Sequence, residues 1–321
     1  MLFENSEISY MDYRLPKGYI PPKRKRQLEG DELLAYLKYS REKYDQRMEK
    51  GRNRHLDQLF HPYLRLILKF SRIISGIKVV KANVKLPDVP DNRPIIYTIT
   101  HVGKDDQAVF NELKTKHYSV LSGDYESLYN NIEGFFTKAN GVLFFDMNSR
   151  KERKEVIGRV ARKLSEDNIL CSMEAAWNIS PNCLVYCLFP GMIQSALLSN
   201  AVIVPVGIER FSSKLFGINV SDTYFDSARE ISCFQSEKEF LEWAKDYIRQ
   251  ELASLKFSLY FDDRIREKIT CKRSEMGDYA QYKKWFISDV LNGWTFTEED
   301  IFRNRYKHPL EPELVFGRYF R

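Results

Sequence analysis

The chain has 321 residues, 43% of them hydrophobic and 29% charged, which is the balance of a soluble globular protein with a sizeable core. No stretch approaches the roughly 18 apolar residues of a membrane span, and the mixed, acidic opening residues exclude a signal peptide from our expectations. The five cysteines form no CxxC pair, which argues against a zinc site and suits a reducing compartment. A net charge of +6 fits an anionic partner, whether a lipid surface, a phosphorylated substrate or a nucleic acid.

The first thirty residues are expected to be loosely ordered, and they contain a basic run at 23–26 that follows two prolines. This run is either a solvated tail or a contact to anionic lipid headgroups. Residues 32–50 then have the charge pattern of an exposed helix.

Residues 62–76 predict an amphipathic helix with one narrow basic stripe. Arg65, Lys69 and Arg72 recur at helical spacing, and nearly every other position is apolar. Such a helix either lies in a membrane interface or is mostly buried while its long basic side chains reach out to water.

From residue 79 onward the pattern changes to short apolar runs that alternate with helical ones. This alternation predicts an α/β fold with a mainly parallel sheet flanked by helices. The predicted strands are 94–100, 118–121, 142–146, 169–174, 201–208 and 216–220, and the predicted helices are 107–113, 125–139, 150–166, 192–199 and 238–255.

Three regions follow from this survey. Residues 1–78 form an N-terminal tail and a membrane-associated region with amphipathic helices, and residues 79–260 form the α/β domain. Residues 261–321 are charged and aromatic, and they predict a helical C-terminal extension.

A histidine and two aspartates follow the first predicted strand of the α/β domain. His101 lies where open α/β sheets hold their reactive groups, and a carboxylate on one ring nitrogen would leave the other free to accept a proton. Asp105 would be its partner in a continuous helix, but Gly103 argues that His101 lies in a turn before the helix. The alternative is an ordinary loop histidine beside an aspartate that caps a helix.

Four motifs in order give this region a family resemblance. His101 and Asp106 have the HxxxxD spacing, and Gly141 opens an apolar strand that ends at Asp146. A third block contains Glu174, Trp177 and Asn178 and ends in Ser-Pro-Asn, and residues 202–206 form an apolar strand with a proline. Residues 94–210 thus resemble the glycerolipid acyltransferases typified by 1-acyl-glycerol-3-phosphate acyltransferase, and their lysophospholipid acyltransferase branch. The arginines of the second and third motifs are absent from their usual positions.

The resemblance implies an acyltransferase. A fatty acyl group would move from acyl-CoA or acyl-carrier-protein to a hydroxyl of a lysophospholipid or related lipid. His101 would be the general base and Asp106 would orient it, with no metal and no bound cofactor. The substrate-binding residues would be Glu174, Arg150, Lys104, Trp177, Asn178 and Gly103.

Some of these assignments have structural alternatives. Trp177 would equally serve core packing, and Glu174 would equally be a carboxylate held by backbone N–H groups. A catalytically degenerate lipid-binding protein on the same fold is the rival interpretation of the chain, because the third motif departs from its consensus. We expect a peripheral protein on the cytoplasmic face of a membrane and, without a recognised binding module, no nucleic-acid partner.

Overall fold

The computed structural model describes residues 10–22, 28–49, 54–102, 105–123, 132–146, 149–174, 185, 188–212, 214–259 and 262–266. Within these residues, seven strands form one sheet in the order β1-β7-β6-β2-β5-β3-β4. The strands are β1 Lys78–Lys81, β2 Ile95–Ile99, β3 Tyr118–Ser122, β4 Val142–Phe144, β5 Asn168–Cys171, β6 Val202–Ser212 and β7 Leu215–Val220.

Five neighbouring strands of this sheet are parallel. β2 pairs in parallel with β5 and β6, β5 with β3, and β3 with β4. β7 runs antiparallel to β6, and β1 is parallel to β7, so only these two strands are reversed. The predicted α/β fold with a mainly parallel sheet is therefore confirmed. β2 lies at its centre, and its residues 96–99 are buried, which explains why the strand is a continuous apolar run.

Helices cover both faces of the sheet. They are α1 Gly30–Glu49, α2 Arg54–Ile74, α3 Asp106–Phe110, α4 Ile132–Asn140, α5 Arg150–Leu164, α6 Gly191–Ser199, α7 Ser227–Glu230, α8 Glu237–Leu259 and α9 Asp263–Arg266. One core cluster joins α5, α6 and α8 to one face of the sheet. The other cluster joins α3 to the opposite face, and α2 packs over α3 and α4 on that side.

The predicted elements match this architecture closely, although their ends differ. All six predicted strands are present, whereas the short edge strand β1 was not predicted. α3 ends at Phe110 rather than at residue 113, and α2 begins at Arg54, earlier than predicted. The predicted helix 125–139 is helical from Ile132, and residues 124–131 lie outside the described residues. The predicted C-terminal extension also lies outside them, apart from residues 262–266.

Helix α1 is held to the sheet edge by a buried cation. The Arg41 side chain is fully buried, and it donates to the Phe144 carbonyl oxygen at 2.6 Å, next to the end of β4. It also pairs with Asp45 at 2.8 Å and with Glu152 of α5 at 3.4 Å. The N-terminal region therefore packs directly on the α/β core, and the division of the chain into three regions stays a prediction.

The orientation of α2 differs from the sequence expectation. Arg65 donates to the backbone carbonyl oxygens of residues 111, 113 and 115, and Arg72 pairs with Glu112 at 2.6 Å. Two of the three predicted stripe residues therefore face the protein, and Lys69 is exposed. The face turned outward is instead apolar. It consists of Leu59, Tyr63, Leu66, Phe70, Ile73 and Ile74, which are 50–84% exposed. We call this the apolar stripe of α2. No helix among the described residues is long and apolar enough to cross a bilayer.

Candidate active site

The candidate site lies where the central strand β2 and its neighbour β5 end. In the parallel register, Ile96 pairs with Ile169 and Thr98 with Cys171. Continued by three residues, the same register brings His101 opposite Glu174. The backbone N–H of His101 donates to Glu174 Oε1 at 2.8 Å. The structure therefore brings together two of the predicted site residues that are 73 positions apart in the chain.

His101 and Asp106 are in direct contact. His101 Nδ1 lies 2.6 Å from Asp106 Oδ2, and the Val102 backbone N–H donates to both carboxylate oxygens at 3.2–3.3 Å. The aspartate side chain is 7% exposed, whereas the histidine side chain is 27% exposed. The carboxylate is thus anchored inside the protein while the imidazole reaches the surface. Since Nδ1 is engaged by the carboxylate, proton transfer falls to Nε2.

Asp105 is not the partner of His101. It is the N-cap residue of α3, and its side chain makes no capping hydrogen bond, while Asp106 is the first helical residue. Residues 101 and 102 lie outside the helix, and Asp106, five residues after His101, lies against the ring. The aspartate that the family spacing indicates is therefore the one in contact with His101.

The pKa of His101 is raised above its usual 6.5 by competing effects. Burial acts to lower it, because a charged imidazolium is poorly solvated inside the protein. The hydrogen bond and the charge of Asp106, together with the charge of Glu174, outweigh burial and favour the charged form. This environment would stabilise the imidazolium that forms when the ring accepts a proton.

The remaining predicted site residues are placed apart from this dyad or lie outside the described residues. Arg150 is exposed at the start of α5, which follows the outermost strand β4, and β5 and β3 lie between β4 and β2. Gly103, Lys104, Trp177 and Asn178 are not among the described residues. Among those that are, no group of three or more His, Cys, Asp and Glu side chains is arranged around a common metal position.

Sequence reasoning missed Thr100, which fixes the end of β2. Its hydroxyl donates to the Ile208 carbonyl oxygen at 2.6 Å and accepts from the Ile208 backbone N–H at 2.7 Å. The side chain thus completes the hydrogen bonding of β6 just before His101. The sequence contains a signal for it, because a threonine closes the apolar run immediately before His101.

Comparisons with known proteins find a likeness in structure but none in sequence. No protein-family model matches the chain, and no curated protein matches it in sequence. Among solved structures, the chain is similar to the crystal structure of the 1-acyl-sn-glycerophosphate (LPA) acyltransferase, PlsC, from Thermotoga maritima. The identity is 14% and the TM-score 0.46, over 70% of this chain and 91% of that chain.

Proposed function

We propose that this protein is an acyltransferase that moves a fatty acyl group from a thioester, acyl-CoA or acyl-carrier-protein, to a hydroxyl of a lysophospholipid or related lipid. The observation that carries the proposal is the contact between His101 and Asp106 at the carboxyl end of the central strand. A carboxylate-oriented imidazole at such an edge is suited to deprotonate an alcohol. The four sequence motifs supply the substrate class.

The proposed reaction needs one base and no covalent enzyme intermediate. His101 Nε2 takes the proton of the acceptor hydroxyl while the hydroxyl oxygen attacks the thioester carbonyl carbon. Asp106 stabilises the imidazolium, as the carboxylate does in hydrolytic triads. The tetrahedral oxyanion then collapses, the carbon–sulfur bond breaks, and the imidazolium returns its proton to the leaving thiolate. Backbone N–H groups near Gly103 are the proposed oxyanion donors.

We propose that Glu174 positions the base His101 and does not act only as a ligand of the acceptor. Its Oε1 accepts the His101 backbone N–H, and the residue is only 7% exposed. It also forms an antiparallel bridge with Leu188, which fixes its backbone. Binding of the acceptor headgroup by Lys104, Trp177, Asn178 and Gly103 stays a proposal from the resemblance, whereas Arg150, the further candidate of the resemblance, is exposed and apart from the dyad.

Peripheral membrane binding belongs to the same proposal. A contiguous apolar face on the outside of a soluble domain marks an interaction surface, and the apolar stripe of α2 has the form of an interfacial helix face. A lipid acceptor would enter from that surface, and the protein would act on the cytoplasmic side of the membrane.

The test is transfer activity in two variants of the dyad and one control variant. His101→Ala should abolish thiol release from acyl-CoA and acyl-carrier-protein across a panel of lysolipid acceptors. Asp106→Asn should lower kcat by roughly 10³-fold, because the imidazole loses its orientation and charge partner. Asp105→Asn, the adjacent control, should stay within about twofold of wild type, because it leaves His101 and Asp106 unchanged.

Two outcomes would contradict the proposal. Near-normal transfer by a folded His101→Ala protein would show that His101 is not the general base. Tight lipid binding by the wild type, without turnover of any donor and acceptor pair, would favour a degenerate lipid-binding protein.

A further inference from the structure

Helix α5 presents a concentration of cations in its first two turns. Arg150, Lys151, Arg153 and Lys154 are all exposed. We call these four residues the basic patch. The buried positions of the helix, Glu152, Val156, Val160 and Leu164, recur every fourth residue and face the core, so the patch faces outward. Glu155 is the one acidic residue interleaved with it, and its 3.9 Å pair with Lys151 is highly exposed.

The basic patch does not stabilise α5. The amino end of a helix carries partial positive charge, so cations there are unfavourable for folding. The acid that suits this position, Glu152, is turned inward, where it accepts the Asp146 backbone N–H and pairs with Arg41. The exposed cations therefore add to the positive end of α5 and together make a surface that attracts anions.

The basic patch lies at the same edge of the sheet as the dyad. α5 begins six residues after the carboxyl end of β4, and His101 follows the carboxyl end of β2. β2 and β4 are parallel and separated by β5 and β3, which corresponds to three strand spacings or about 14 Å. An extended pantetheine arm is longer than this, so a donor seated on α5 would reach His101 with its thioester.

The basic patch and the apolar stripe of α2 belong to opposite faces of the sheet. α5 packs with α6 and α8 on one face, whereas α2 packs over α3 and α4 on the other. One flat bilayer that contacts the stripe would leave the patch in water. The anion that the patch meets is therefore a soluble one.

We propose that the basic patch of α5 is the docking surface for an acidic acyl carrier protein, which delivers the thioester across the carboxyl edge of the sheet to His101. The inference rests on the proposed function and names the donor for it. At 3.6 residues per turn the four cations fan over an arc of about 160° around the helix, which fits the acidic helix of a protein better than one compact phosphate cluster.

Direct binding tests the surface independently of turnover. A stand-alone acyl carrier protein bearing its phosphopantetheine arm is titrated by fluorescence anisotropy into wild type and into the double variant Lys151→Glu and Lys154→Glu. We expect Kd to rise about tenfold or more in the variant, with a difference that shrinks in high salt. Acids at the start of a helix are favourable, so the variant should fold. The matched control is Lys114→Glu and Lys116→Glu, which reverses two exposed cations before β3, at the opposite sheet edge.

Each result either supports or overturns the inference. Unchanged carrier binding by the Lys151 and Lys154 variant, or equal loss in the control, overturns it. Loss of binding to vesicles of phosphatidylglycerol and phosphatidylcholine, with carrier binding intact, would assign the patch to the membrane instead. A tenfold rise in the KM for acyl-CoA, with no carrier binding, would assign it to the nucleotide. Carrier binding without transfer to any acceptor would contradict the proposed function but would still support the docking surface.

Discussion

At the scale of single residues, the candidate site places two carboxylates on one histidine in different ways. Asp106 contacts the ring at Nδ1, while Glu174 accepts the backbone N–H of the same residue. Asp106 controls the orientation of the imidazole, and Glu174 holds the backbone from which the imidazole projects. Both negative charges raise the pKa of His101. The two roles are separable, because Asp106 is bonded to the ring and Glu174 to the backbone N–H.

Replacing Glu174 by Gln should shift the pH profile of catalysis. His101 must be neutral to act as a base, so kcat/KM falls as the pH drops through its raised pKa. Glutamine keeps an oxygen that can accept the backbone N–H but removes the charge, so the pKa of His101 should fall and the acidic limb should move to lower pH. The imidazole signals of His101 in NMR titrations should move in the same direction.

Glu166→Gln is the control for this shift, because Glu166 is an exposed acid in the turn before β5. Its acidic limb should match that of wild type. An unmoved limb in Glu174→Gln, with a higher KM for the acceptor alone, would return Glu174 to the headgroup role that the family resemblance implies.

The sequence predicts the dyad and cannot predict the Glu174 contact. The HxxxxD spacing of the family resemblance is enough to pair His101 with Asp106, since the glycine at position 103 argues against a continuous helix from residue 101. The contact from Glu174 depends on the register between β2 and β5, which is decided by packing across the whole sheet. A consensus glutamate was recognisable in the chain, but its partner was not.

At the scale of elements, α2 shows what periodicity can and cannot decide. Its two faces were evident from the spacing of apolar and basic residues. Which of the two faces packs on the protein depends on groups that the periodicity of the sequence does not reveal. These are the backbone carbonyl oxygens after α3 and the Glu112 carboxylate, which draw Arg65 and Arg72 inward. With the cations satisfied there, the apolar stripe is left outside.

The apolar stripe predicts that the protein binds membranes by burying apolar side chains rather than by attraction between charges. Leu66 and Phe70 are 50% and 54% exposed, and aspartate at both positions should lower the vesicle-bound fraction by tenfold or more, since each large apolar side chain contributes roughly 1.5–3 kcal/mol on burial. Sedimentation with vesicles that contain phosphatidylglycerol measures this. Leu198→Asp is the matched control, because Leu198 is 68% exposed on α6, across the sheet.

Charge reversal at Arg65 or Arg72 should act differently. These side chains hold α2 to the core, so their loss should lower the free energy of unfolding before it affects vesicle binding. Vesicle binding that survives the Leu66 and Phe70 double variant unchanged would contradict the role of the stripe.

At the scale of the whole molecule, a buried polar network fastens α2 to the fold. His61 Nδ1 lies 2.8 Å from Asn140 Oδ1 at the end of α4, and Asn140 Nδ2 donates to the Tyr118 carbonyl oxygen at 2.7 Å. The His117 ring lies 5.2 Å from that of His61 and contacts Asp167, which precedes β5. The helix with the outward apolar stripe is thus tied to the sheet through a titratable residue.

His61 should make the protein less stable in mild acid. Its pKa is lowered from 6.5 to about 4, mainly by burial and further by the charges of His117 and Arg65, whereas the hydrogen bond to Asn140 Oδ1 acts to raise it. Between these values the unfolded chain binds a proton that the folded chain does not. The free energy of unfolding should therefore fall by roughly 3 kcal/mol as the pH drops from 7 to 4.

Other groups contribute outside this window. The raised pKa of His101 stabilises the fold below 6.5, and that contribution is lost only as the pH rises. The lowered pKa of Asp167 matters only once the pH falls below about 3.8. Guanidinium unfolding at pH 7, 5.5 and 4.5 should thus show a slope that His61→Gln reduces, because glutamine can still hydrogen-bond to Asn140 but does not titrate. Parallel losses in the two proteins would mean that the attachment of α2 is insensitive to the protonation of His61.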